Sequence, residues 1–157
     1  MEQEQEQPIE RMLRGHDFTE GLSDEHVARL ASMASLQTFH ADERVLKAGE
    51  RADRCYLIQE GQIAIEIYHP TRGGVPIQTL GEGKVLGWSW FVKPYRWTFD
   101  AMTYTFTRVI VLDGVRLREA MEADPEFGYP LAVRFMEVCA ERVSHSRLQM
   151  IDMFDPH

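Results

Sequence analysis

Between residues 36 and 112 the chain breaks into many short β-rich runs separated by glycines, and no other feature constrains its fold as strongly. Leu36-Gln37-Thr38-Phe39, Val45-Leu46, Cys55-Tyr56-Leu57-Ile58 and the run from Gln62 to Tyr68 carry the β-branched and aromatic residues that suit a pleated, half-buried surface. Further strands are predicted at 77–80, 84–87, 98–103 and 108–112. Gly49, Gly61, Gly73-Gly74, Gly81 and Gly83 punctuate the series. With helical periodicity at both ends, this pattern predicts an α+β fold, an eight-stranded antiparallel β-barrel or jelly roll flanked by short N-terminal helices and a long C-terminal helix.

The flanks are read from caps and spacing. Met1 to Gln7 lack apolar periodicity and are expected to be a disordered, solvated tail. Pro8 is placed at the first position of a short helix carrying Ile9, Met12 and Leu13. Ser23, followed by Asp24 and Glu25, is an N-cap with an acidic first turn, leading into Val27, Leu30, Ala31 and Ala34. The expected layout is N-terminal helices and barrel over 8–112, with hinge and terminal helices over 113–157 in the same domain. After a break at Pro125, a long segment from Pro130 to about Phe154 carries two apolar stripes. Leu131, Phe135 and Val138 form one. Ala132, Met136, Cys139, Val143, Ser146, Met150 and Met153 follow alternating steps of four and three on the other, the pattern of a helix pairing with its copy across a two-fold axis. A helix packed on two sides within its own domain is the competing reading.

Composition narrows the function classes. A formal net charge of −8 and a pI near 5.2 oppose phosphate-backbone binding, so nucleic acid is not the expected partner. No run approaches the roughly 20 apolar residues of a membrane span, and the acidic, polar start is unlike a signal peptide, so a cytoplasmic protein is expected. Cys55 and Cys139 are read as buried thiols. His16, His26, His40, His69, His145 and His157 show no metal-ligand spacing and are read as surface or capping residues, so no metal site is expected. No Gly-rich phosphate loop, nucleophile elbow or paired cysteine and histidine appears, and no catalytic residue is assigned.

The run from Val45 through Lys47-Ala48-Gly49-Glu50 and Cys55-Tyr56-Leu57-Ile58 to Gly61 resembles the first signature of the cyclic-nucleotide-binding domain family. Gly49 suits a turn of positive φ, and Gly61 suits a tight hairpin between strands 55–59 and 62–68. The resemblance extends from about Phe18 to near Phe154, and bacterial catabolite-activator-like regulators are similar over this half. It implies a regulatory, ligand-sensing module without catalysis, in which the long helix is the dimer helix. Those regulators continue into a winged helix. Because this chain stops at His157, a stand-alone sensor without a DNA reader is the expectation.

The resemblance also implies where a ligand would sit. The family's phosphate-binding cassette uses a glycine to admit a cyclic phosphate, a Glu to accept from the ribose hydroxyl, and an Arg to pair with the phosphate. The matching stretch is Leu86-Gly87-Trp88-Ser89-Trp90-Phe91-Val92-Lys93-Pro94-Tyr95-Arg96-Trp97-Thr98. Gly87 and Arg96 match by type. Trp88 replaces the Glu, and Trp90 and Trp97 replace small residues, while the short spacing implies that the cassette helix is shortened or replaced by a loop around Pro94. Gly87, Trp88, Ser89, Trp90, Arg96, Trp97 and Thr98 are the candidate ligand-binding residues. Two readings stand. The rings fill an emptied pocket, leaving a ligand-free interaction or scaffold protein with an unknown protein partner, or they line an aromatic pocket in which Arg96 anchors a planar anion such as cyclic AMP, cyclic GMP or another nucleotide-like ligand.

Overall fold

The computed structural model describes the backbone of residues 2–154 and the side chains of residues 8–144. Helix α1 (Glu2–Arg14), a 3-10 turn (Asp17–Thr19) and helix α2 (Asp24–Ala31) precede the strands. Ser23 caps α2 as expected, its hydroxyl accepting the His26 N–H at 3.1 Å. The expected solvated tail is corrected: α1 begins at Glu2 and holds Pro8 in its interior. Glu and Gln are good helix formers, and early carboxylates favour the positive end of the helix dipole, so the helix starts ahead of the proline.

Eight strands follow: β1 (Ala34–Phe39), β2 (Arg44–Leu46), β3 (Arg54–Glu60), β4 (Ile63–His69), β5 (Gly73–Leu80), β6 (Val85–Leu86), β7 (Asp100–Thr103) and β8 (Thr107–Asp113). They form two four-stranded antiparallel sheets, ordered β1-β8-β3-β6 and β2-β7-β4-β5. This is the predicted jelly roll. Leu57 pairs with Ile110 in one sheet and Ile65 with Ala101 in the other, and all four residues are buried. Each of the Leu and Ile side chains contributes about 1.5–3 kcal/mol by leaving water.

One expected connection is corrected. β3 and β4 do not form a hairpin, because they lie in different sheets and the chain passes between them at Gly61. Gly61 has φ +99°, and a Cβ there would stand 2.4 Å from the Phe106 carbonyl oxygen. The glycine is needed, but for a corner pressed against another segment rather than for a two-strand turn.

Helix α3 (Gly114–Ala123) is capped by Asp113, whose Oδ1 accepts the Arg116 N–H at 3.1 Å. Helix α4 (Pro125–Phe154) starts at Pro125 rather than at Pro130. Pro125 takes the first helical position, where a missing N–H is harmless, and Asp124 accepts from the Glu126 N–H at 3.2 Å. Leu117, Met121, Phe127, Leu131 and Phe135 join the barrel in one hydrophobic core. On the other side of α4, Met136 and Val143 are 68% and 53% exposed, while Ala132 and Cys139 are half-buried. Ser146, Met150 and Met153 lie outside the described side chains. Among the described residues no helix is long and apolar enough to cross a membrane.

Candidate functional site

The cassette leaves β6 at Leu86 and continues through turns, with no helix before β7. From Tyr95 it runs antiparallel to the loop between β2 and β3. The Gly49 N–H donates to the Trp97 carbonyl at 2.8 Å, the Trp97 N–H to Glu50 at 3.0 Å and the Ala52 N–H to Tyr95 at 2.8 Å, around an isolated bridge between Arg51 and Arg96. An extended segment sends successive side chains to opposite faces. Trp97 and Phe99 therefore turn inward and are buried, while Arg96 and Thr98 turn outward and are exposed.

This alternation decides the fate of the two cassette residues expected to meet a phosphate. Gly87 keeps the permissive geometry, buried at φ +96°, but the Trp97 ring covers it. A Cβ built on Gly87 would stand 2.7 Å from two carbons of that indole. Arg96 donates from Nη1 to the Gly49 carbonyl at 2.9 Å on the exposed side. Glycine and arginine are thus separated by the strand-like pairing that seats the indole between them.

The other two indoles connect the cassette to the helices. Trp90 is fully buried, edge-on to Phe135 of α4 at 4.8 Å between centroids, and its carbonyl accepts Arg118 Nη1 of α3 at 2.5 Å. Among the described residues its Nε1 makes no hydrogen bond of ordinary geometry, and it neighbours the Cys55 thiol. Arg118 also lies over the Tyr95 ring at 3.8 Å. Trp88 is half-buried, edge-on to Phe99 at 5.5 Å, with the Arg142 guanidinium 4.7 Å over its ring. Ser89 is buried between these two indoles in the chain.

Arg142 is the important residue absent from the sequence reading. It is 7% exposed, and among the described residues its Nη1 has no hydrogen-bond partner. Burial lowers its pKa to about 10, which leaves it cationic at neutral pH. The nearby Cys55 is no counter-ion, since burial pushes its thiol up to about 12. The signal was present in the spacing: Leu131, Phe135 and Val138 are separated by steps of four and three, and one further step of four puts position 142 on the same buried stripe. His16 is also buried, as a cap. Its Nδ1 accepts the Phe18 N–H at 3.1 Å, and its Nε2 lies 3.0 Å from the Ile58 carbonyl. Among the described residues no group of His, Cys, Asp and Glu is arranged to hold a metal ion.

The family model described as the cyclic nucleotide-binding domain matches residues 36–124, more than half of the chain. No curated protein matches. The structure of a protein named as cyclic nucleotide-binding, from Geobacter metallireducens GS-15, is 25% identical with a TM-score of 0.77, over 85% of this chain and 96% of that one. A cyclic nucleotide-binding domain from Methylobacillus flagellatus KT is 18% identical with a TM-score of 0.79, over 98% and 86%. The regulatory domain of Toxoplasma gondii PKA, crystallised with cAMP, is 14% identical with a TM-score of 0.69, over 86% of this chain and 51% of that one. With its jelly roll, its first signature and its cassette position all in place, the chain belongs to the cyclic nucleotide-binding domain family of regulatory binding domains.

Proposed function

We propose that this chain is a regulatory module in which Trp97 occupies the seat of a cyclic phosphate and the long helix α4 carries the signal. The observation behind this is the Trp97 ring lying directly over Gly87. A cyclic phosphate needs the backbone around such a glycine, a paired arginine and an acceptor for the ribose hydroxyl. Here the first is covered, the second is held by the Gly49 carbonyl, and Trp88 supplies no acceptor. An unpaired buried hydroxyl alone costs about 1–3 kcal/mol.

Signalling through α4 is supported by the contacts that tie it to the cassette, Phe135 on Trp90 and Arg142 on Trp88. A ligand or partner that moves either indole acts on the helix, and it shifts the population only by its preference for one helix arrangement over another. The exposed Met136 and Val143 support homodimerisation through the same helix. Replacing both with Lys is expected to give monomers by light scattering, and an unchanged dimer mass would place the interface elsewhere.

A second reading, a sensor of a planar anionic ligand that displaces Trp97, is favoured by the half-buried Trp88 capped by a cation. Calorimetric titration of the native chain with cyclic AMP and cyclic GMP separates the two. Dissociation constants no tighter than about 1 mM are expected for the self-filled seat. Micromolar binding would favour the displacement reading.

A further inference from the structure

One open space beside the barrel adjoins the cassette at Trp88 but takes none of its lining from it. A groove of about 550 Å³ runs between α4, the end of β5 and the turn into β6, within the size range of small-molecule sites. Its walls include the cations Lys84, Arg134 and Arg142, the carboxylates Asp17 and Glu141, and apolar Val138. Two of the cations are already engaged. Lys84 Nζ reaches Glu141 at 2.7 Å across the groove. Arg134 is bound to Glu137, and donates from Nε to the Phe18 carbonyl and from Nη2 to the Asp17 carbonyl, each at 2.8 Å.

Arg142 differs from both. It lines the groove while being more than nine-tenths buried, and among the described residues its Nη1 is without an acceptor. Trp88 covers one face of the guanidinium but offers it no hydrogen bond. A buried cation lacking an acceptor is costly to the fold, and an oxyanion in the groove would supply one in charge-assisted form.

We propose that this groove binds a small organic oxyanion with an apolar body, anchored by Arg142. The site lies outside the cassette and holds whether or not Trp97 ever leaves Gly87. The indole beneath the guanidinium makes occupancy visible as a change in tryptophan emission.

The test titrates the full chain with phenyl phosphate and with benzoate, following both heat and emission. Saturable binding of at least one probe is expected, and the tighter of the two tells whether the preferred head is a phosphate or a carboxylate. Arg142→Met is expected to weaken it at least about tenfold, Arg142→Lys to retain part of it, and Arg96→Met to leave it unchanged. Arg142→Met replaces a buried charge with an apolar chain, and circular dichroism checks its fold. If it does not fold, Arg142→Lys serves in its place, since a site anchored by this guanidinium must change affinity when the fork is lost. Absence of saturable binding by both probes overturns the proposal, as does equal affinity in the folded Arg142 variants. Loss on Arg96→Met alone overturns it too, by placing the anion at the cassette instead.

Discussion

The cassette and the α4 groove meet at Trp88 and are opposite in content. At the cassette, Trp97 and Trp90 are buried, the arginine has gone to the surface, and aromatic area takes the space beside Gly87. In the groove, one guanidinium nitrogen stays buried with no acceptor among the described residues, beside open volume. Filling one region with rings gives stability without ligand, because indoles bury large area. Leaving a guanidinium nitrogen unsatisfied in the other gives no stability, and it is the observation behind the proposed anion site.

Unfolding experiments on the two regions sharpen this contrast. Trp90→Ala removes a fully buried indole packed against Phe135 and is expected to cost about 3–5 kcal/mol by urea denaturation. Arg142→Met is expected to change stability by less than about 1 kcal/mol, since the lost contact with Trp88 is offset by removal of an unsatisfied buried charge. Similar large losses in both variants would break the distinction between a filled region and an unsatisfied one.

A smaller effect comes from His16, buried against the Ile58 carbonyl of β3. Desolvation lowers its pKa below 6.5, and the hydrogen bonds to Phe18 and Ile58 fit the neutral ring with its proton on Nε2. Below pH 6.5 the unfolded chain binds the proton more readily than the folded one. The contribution of His16 is therefore complete above that pH and is lost as pH falls through 6.5 toward the lower folded value. The thermal midpoint is expected to drop between about pH 7 and 5.5. The drop is expected to shrink in His16→Gln, and an identical drop in that variant would assign the effect to other groups.

Much of the fold was legible in the chain because local rules and tertiary packing agree there. Ser23 caps α2, and Gly49 has its expected positive φ at +89°. Gly61 shows the limit of such reasoning. Its residue type reveals that a side chain is forbidden, but not that the obstacle is Phe106 on the far side of a corner between sheets. At the candidate site, motif matching paired Gly87 with Arg96, whereas the local period was the better guide. Tyr95, Arg96, Trp97, Thr98 and Phe99 alternate aromatic and polar, and that alternation turns Arg96 out and Trp97 in. Arg142 was passed over for a related reason: a charged residue was not counted in an apolar stripe whose spacing it continues.

The claim that Trp97 takes the place of a ligand is tested most directly by removing it. Calorimetry with cyclic AMP compares the native chain with Trp97→Ser and with Trp88→Glu/Trp97→Ser, which adds the ribose acceptor. The account predicts that binding strengthens at least about tenfold in the double variant over the native chain, with Trp97→Ser between them. Micromolar affinity in the native chain that falls when Trp97 is removed would contradict it, showing that the indole stacks on a ligand rather than standing in for one.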